Sequence, residues 1–463
     1  ERNRAELESL YKADYAREWK KFLQGVAIQD FGTLENSVQV LSKLSDAQNS
    51  AIKLIFAKAA YETAWDNPSQ LSKSIGNAKN SVIERTEKLI LGSTSSQPQN
   101  ANQLGEVGAK FATLGVMTSV GEGGRMPLSA YLDMLAKLKS KVAQIASSAE
   151  ADGAARQLMQ ATLNGTGSEL VEALTLVDGV LLANASEEAK EIARPLLVRP
   201  LMQTYAALIP PVEREINRVW LAEVFASWRP LASKYPFADS TNEAPMTDIS
   251  KFLKPQEGIL PKFIAKELAG LVTKRGDTLV PRTWANLGVN FSPAFLGATS
   301  RLLAAGGTVL QEGEGAKFEL QPVPTPGLSE TLIEIDGQTL RYRNGPQPWT
   351  SFTWPNSANS NAQGARIQVV SFAGVSTSVA NFNGRLGLMR LLAQAKADNP
   401  SNPTVQLEWS FKAGRAVTEK ALPNASSDAD SDVVRFNFRM VNGANPFSLS
   451  GLRRLGLPEK ITH

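Results

Sequence analysis

The spacing of apolar residues changes period once along this chain, near residue 316, and that change sets the kind of molecule it can form. Up to about 303 the apolar positions recur every three or four residues, the repeat of one face of an α-helix. Leu128, Tyr131, Leu132, Leu135, Leu138, Val142 and Ile145 show it without interruption. From Lys317 the period drops to two. Val405, Leu407, Trp409 and Phe411 alternate with Gln406, Glu408, Ser410 and Lys412, and Val434, Phe436, Phe438 and Met440 alternate with Arg435, Asn437 and Arg439. Strands of this kind have one wet and one buried face, which predicts antiparallel sheets packed as a sandwich. The expected fold is therefore α+β and multidomain: an all-α helical region over 1–303, a glycine-rich hinge over 304–316, and an antiparallel β-sandwich domain with one helix over 317–463. At 463 residues the chain has room for about two to four such domains, each with its own core.

Within the helical region, Leu7, Leu10, Tyr11, Tyr15, Trp19, Phe22 and Leu23 predict a core-facing helix from about Arg4 to Leu23. Leu34, Val38, Leu41 and Leu44 carry a second helix after Gly32, and Ile52, Ile55, Phe56 and Ala59 a third from Asn49 to Thr63. Residues 92–103 are small, polar and aperiodic, and read as a flexible surface linker. Val107, Phe111 and Leu114 start a short helix that Gly121-Glu122-Gly123-Gly124 ends in a turn; this glycine cluster lacks phosphate-loop spacing. Further helices are expected near 151–163, 168–182 and 187–208, the last kinked or interrupted at Pro195 and Pro200. Pro211 suits the first turn of another, whose apolar face of Val212, Ile216, Val219, Trp220, Val224 and Trp228 runs to a break at Pro230. Asp248 to Leu253 reads as a turn, Gly258 to Leu271 as a short helix, and Ser292-Pro293 as the start of a helix to Leu303.

In the strand region, Asp336-Gly337 between Ile333/Ile335 and Leu340/Tyr342 predicts a two-residue hairpin. Leu386, Met389, Arg390 and Leu392 predict its one helix. Trp349, Phe352 and Trp354 suit sandwich packing, a partner anchor or a sugar-stacking platform. The loops at 356–364 and 423–432 are polar and adaptable, as binding loops at the end of a sandwich often are.

The chemistry open to the chain is narrow. It has no cysteine, and its single histidine, His463, is the last residue. Disulfides, thiol nucleophiles, Ser-His-Asp arrangements and His- or Cys-based zinc sites are thereby removed. Carboxylate chemistry remains, but the densest cluster, Glu187, Glu188 and Glu191, follows Ser186 and reads as a solvated helix start favoured by the helix dipole. A net charge of +4 without a clustered basic face argues against nucleic acid. No run of about 18 apolar residues is present to insert into a bilayer. The expectation is no catalytic, cofactor-binding or metal-binding residue, and partner-binding residues are not legible.

Several segments, taken in order, resemble the IcmF/TssM family, the large inner-membrane component of type VI secretion systems. They are Tyr11, Tyr15, Trp19, Phe22 and Leu23; Asn49 to Ile55 with Glu62-Thr63; Trp228-Arg229-Pro230; Lys234-Tyr235-Pro236-Phe237; Phe352-Thr353-Trp354-Pro355; and Phe447-x-Leu449-x-x-x-Arg453. Gly384-x-x-Gly387-Leu388-Met389-Arg390-Leu391-Leu392 also fits, without the Pro and Trp the family usually has there. The resemblance implies a non-enzymatic scaffold without cofactor: a periplasmic portion, preceded by transmembrane helices, that binds the outer-membrane lipoprotein TssJ, works with the inner-membrane TssL and self-associates in the full complex. The alternative is a secreted carbohydrate-binding or carboxylate-dependent glycan-hydrolysing protein.

Overall fold

The computed structural model describes residues 2–67, 104–121, 124–309, 315–356, 362–398, 402–412, 432–443, 445–447 and 452–463. The expected linker at 92–103, Glu122 and Gly123, most of the 356–364 loop and residues 423–431 lie outside them. By density of contacts the chain divides into two units, Glu1–Glu215 with Pro281–Asn290, and Ile216–Val280 with Phe291–His463.

In the first unit the helices are α1 (Arg2–Gly25), α2 (Leu34–Leu44), α3 (Ala51–Thr63), α4 (Glu106–Thr118), α5 (Pro127–Ala146), α6 (Ala151–Asn164), α7 (Glu169–Leu176) and α8 (Glu187–Val219), the last belonging to it as far as Glu215. Most begin where a side chain can satisfy a free amide. Thr33 Oγ1 accepts from Asn36 N at 3.2 Å, Ser50 caps α3 and Ser168 caps α7. α4 is capped from a distance. Asp66 accepts from the amides of Val107 at 2.8 Å and Gly108 at 3.1 Å, and Asn67 Oδ1 from Gly105 N at 2.7 Å. The seven apolar positions predicted for α5 are all buried.

Two expectations are corrected here. α1 forms, but its apolar stripe does not face a core: Leu7, Leu10, Tyr11 and Phe22 are 57–68% exposed, and only Ala16 and Leu23 are buried. The small Ala16 admits close approach along a narrow line, and polar contacts hold the rest. Lys20 pairs with Glu191 at 2.7 Å, Arg199 donates to the carbonyls of Gln24 and Val26, and Tyr15 to that of Glu62. The prolines of α8 do not end it either: Pro195, Pro200, Pro210 and Pro211 all lie inside one helix, so Pro211 is not a first-turn residue. An interior proline costs about 3 kcal/mol. Burial of Ile192, Leu196, Leu197, Leu201, Tyr205, Leu208 and Val212 along the same helix outweighs that. Tyr131 donates to Leu197 O at 2.7 Å in the turn that Pro200 loosens.

The second unit opens with the end of α8 and a π-helical turn over Trp220–Phe225, followed by α9 (Ala226–Ala232), α10 (Met246–Leu253), α11 (Ile259–Lys266), the strands β1 (Val272–Arg275) and β2 (Thr278–Pro281), and α12 (Pro293–Val309). Ile216, Val219, Trp220, Val224 and Trp228 are buried as predicted. The wider π turn keeps positions four residues apart in line. Pro230 sits within α9 rather than ending it, and Asp248–Leu253 belongs to a helix, with Ile249, Phe252 and Leu253 buried. α12 continues through Gly306 and Gly307. The β1–β2 hairpin was not foreseen.

The sheets follow: β3 (Ala316–Val323), β4 (Leu328–Ile335), β5 (Gln338–Tyr342), β6 (Thr350–Trp354), β7 (Gly364–Ser371), β8 (Ser376–Asn383), β9 (Lys396–Ala397), β10 (Thr404–Phe411) and β11 (Asp432–Asn442), with α13 (Gly387–Gln394) between β8 and β9. One sheet has the order β6-β3-β11-β10-β9 and the other β5-β4-β7-β8, with antiparallel pairing throughout. The alternation puts Val405, Leu407, Trp409, Phe411, Val434, Phe436 and Phe438 inward. Phe318 stacks on Phe352 at 5.7 Å and on Phe438 at 5.2 Å. The predicted hairpin pairs Ile335 with Gln338 across Asp336-Gly337.

Contacts do not divide the chain at 304–316, because the end of the chain returns to the helices of this unit. Trp220 Nε1 donates to Pro458 O at 2.9 Å, Asn217 holds Ile461 N at 2.8 Å and Thr462 Oγ1 at 2.6 Å, and Ser292 N donates to Ile461 O at 2.8 Å.

Candidate functional site

A cavity of about 360 Å³ opens in the second unit where four separate parts of the chain meet: the corner after α9, the end of β8, helix α13, and the segment around Arg453. The corner closes on itself through Tyr235 N to Asn242 O at 2.9 Å and Ala244 N to Tyr235 O at 2.8 Å. Its Tyr235–Pro236 peptide bond is cis. Tyr235, Arg390 and Arg453 line the cavity with Asp239, Ser240 and Phe382. Each of the first three comes from one of the short segments that carried the family resemblance, and the sequence reading did not connect them. An arginine in each of the two later segments was the one signal that could have done so.

Arg390 is held on three sides. Its guanidinium carbon lies 3.8 Å from the centre of the Tyr235 ring, Nη2 donates to Ser240 O at 2.9 Å, and Nε faces Glu243 Oε1 at 3.4 Å. The planar guanidinium stacks on the ring with its face while its edge serves a carbonyl and a carboxylate together, a combination an ammonium does not match. Glu243 in turn accepts from Leu386 N at 3.3 Å, where a negative charge meets the start of α13. This approach requires Gly384, which has φ +97° and where a Cβ would overlap the Glu243 carboxylate.

Asp239 bridges two guanidiniums, Arg453 Nη2 at 2.9 Å and Arg454 Nε at 2.8 Å, and these hydrogen bonds hold its pKa below the usual carboxylate value. Burial pushes the Tyr235 phenol up to about 12, so it stays protonated across the physiological range. Such a site stabilises negative charge. A hydrolytic general acid needs a carboxyl with a raised pKa, and Asp239 is shifted the other way.

The other candidates fall into place around this. Glu187 pairs with Lys190 at 2.8 Å and Glu191 with Lys20 at 2.7 Å, at a helix start where Ser186 Oγ accepts from Ala189 N. Phe352 and Trp354 are core residues, and half-buried Trp349 lies under the Arg439 guanidinium at 4.2 Å, so these three do not form a flat exposed platform. Among the described residues no three or more His, Cys, Asp or Glu side chains gather as a metal site, and no helix is long and apolar enough to cross a membrane. Both stems of the 356–364 loop are tied to buried Asp336. Its carboxylate accepts from Gly364 N at 2.9 Å and Asn356 N at 3.2 Å, and its carbonyl from Asn356 Nδ2 at 3.2 Å.

Three stretches match domains of one protein family. Residues 318–422 match the type VI secretion protein IcmF C2-like domain, 211–315 the IcmF helical domain, and 1–64 the IcmF-related domain described as "intracellular multiplication and human macrophage-killing". Together they take in more than half of the chain, in the order the sequence segments suggested. A Pseudomonas aeruginosa protein, type VI secretion system component TssM1, is 22% identical over 98% of this chain. The chain spans 40% of that relative's length. Among solved structures, a chain of a type VI secretion system membrane core complex superposes with a TM-score of 0.67 at 23% identity, over 99% of this chain and 84% of that one. A chain of a type VI membrane complex gives 0.71 at 23% identity, over 99% and 86%. The three domain matches, in order and on the helical and sheet regions where the segments above lie, place this chain in the IcmF/TssM family of type VI secretion proteins.

Proposed function

We propose that this chain is the periplasmic part of a type VI secretion inner-membrane component and acts as a non-enzymatic scaffold. In this reading it binds the outer-membrane lipoprotein TssJ, works alongside TssL and self-associates in the assembled complex. The observation that carries the proposal is the ordered set of three IcmF domain matches, ending in the C2-like domain on the sheets. Residue chemistry supports a scaffold: the cavity carboxylates are engaged with arginines, and the one histidine is terminal. The sheet domain is the proposed lipoprotein contact. Asp336 gives its 356–364 loop fixed stems, and a fixed loop base lowers the ordering cost of binding.

Isothermal titration of the whole chain against the purified lipoprotein of the same secretion system, and separately against soluble peptidoglycan fragments, tests this. Saturable lipoprotein binding with no glycan heat is the expected outcome. Glycan binding without lipoprotein binding would put the carbohydrate reading in its place.

A further inference from the structure

We propose that the cavity formed by Tyr235, Arg390 and Arg453 is a carboxylate-binding site that takes an acidic side chain from a partner polypeptide. The inference rests on the geometry of the second unit and not on the lipoprotein reading.

The cavity has more hydrogen-bond donors than its own acids use. Arg390 spends Nη2 on Ser240 O and Nε on Glu243, and Arg453 spends Nη2 on Asp239. Among the described residues, no partner meets Nη1 of Arg390 or Nε and Nη1 of Arg453. Arg390, Arg453 and Arg454 face two carboxylates, Asp239 and Glu243, so the local balance is one positive charge. Asp239 shows the matching chemistry within the chain itself: one carboxylate spans two guanidiniums with bonds of 2.9 and 2.8 Å. A second carboxylate entering the cavity meets the remaining donors, in the forked geometry arginine gives to such groups.

The walls favour a side chain over a bare ion. The Tyr235 ring, Phe382 and Ala393 provide apolar surface for the methylenes of a glutamate, and Thr241 and Gln394 add uncharged polar lining. At about 360 Å³ the space is at the small end of ligand cavities, enough for one side chain and its flanks. An opening this exposed, with one surplus charge, binds weakly by itself, on the order of millimolar. It therefore adds to a larger interface rather than making one.

The test is a titration of the whole chain with the peptide acetyl-Gly-Glu-Glu-Gly-amide, its Gln-Gln counterpart, and free glutarate. The Glu peptide should saturate in the millimolar range, the Gln peptide should bind at least about tenfold more weakly, and glutarate more weakly than the Glu peptide. Arg453→Ala, at an exposed position, should abolish the Glu-peptide signal. Asp239→Asn, which removes the internal competitor, should tighten it roughly threefold or more. Equal binding of both peptides, an unchanged Arg453→Ala, or glutarate binding as tightly as the Glu peptide would overturn the proposal. Should Arg453→Ala fail to fold, the sign of the Asp239→Asn effect decides: tightening supports the site, and no change or weakening overturns it.

Discussion

Asp336 shows what a single residue contributes and how much of that the sequence reveals. Its place before Gly337 between two alternating runs announced a tight hairpin, and it takes a positive φ there, as Asp can. Its second task, holding Asn356 and Gly364, was hidden, because nothing in local spacing says which distant amides a buried carboxylate will meet. Asp336→Ala should lower stability by about 2 kcal/mol in urea unfolding, since it strands two half-buried amides that now donate to its buried carboxylate. Asp336→Asn should lose less. Asp239 supports a second prediction. Its pKa is depressed in the folded state by Arg453 and Arg454, so its stabilising effect is present above the ordinary carboxylate pKa, about 4, and is lost as pH falls below that. Between pH 5 and pH 3 the melting temperature of Asp239→Asn should therefore fall less steeply than that of the wild-type chain.

Among the elements, periodicity located most helices and strands but not their partners. α5, β10 and β11 were read correctly in position and face because their apolar residues repeat without interruption. α1 repeats equally well yet leaves Leu7, Leu10, Tyr11 and Phe22 exposed, since a stripe says which residues share a face and not what covers it. α8 failed in the opposite sense: Pro195 and Pro200 suggested kinks or interruptions and Pro211 a new helix start, and burial along one continuous helix overrode them. Asp248–Leu253 reads as a turn before a Pro- and Gly-containing segment, yet Ile249, Phe252 and Leu253 have helical spacing and are buried on one short helix. The cap on α4 gives the sharpest test at this scale. A Cβ on Gly105 would overlap the Asp66 carboxyl, so Gly105→Ala should cost about 2 kcal/mol or more, with a lower urea midpoint and an unchanged slope. Asp66→Ala should cost a similar amount by leaving the amides of Val107 and Gly108 unmet.

For the whole molecule, the change of period near 316 revealed that helices precede sheets, but not how contacts group them. The second unit joins residues 216–280 and 291–303 to the sheets, and its closing segment runs back to Trp220 and Asn217. Such pairings span more than 230 residues of sequence, and no local pattern encodes them. Separation along the chain also hides the Tyr235–Arg390–Arg453 cavity, whose three named residues lie in three segments with no local pattern in common. Removing 452–463 should destabilise this unit markedly, because buried Leu452, Leu455, Leu457 and Ile461 go with it; thermal unfolding of the shortened chain, lower by ten degrees or so, checks this. The central claim is that the chain is a scaffold contacting the outer-membrane lipoprotein through its sheets. Hydrogen–deuterium exchange of the whole chain, with and without that lipoprotein, tests it most directly. Slowed exchange should fall within 316–463, whereas slowing confined to 2–215, or none at saturating lipoprotein, would contradict the account.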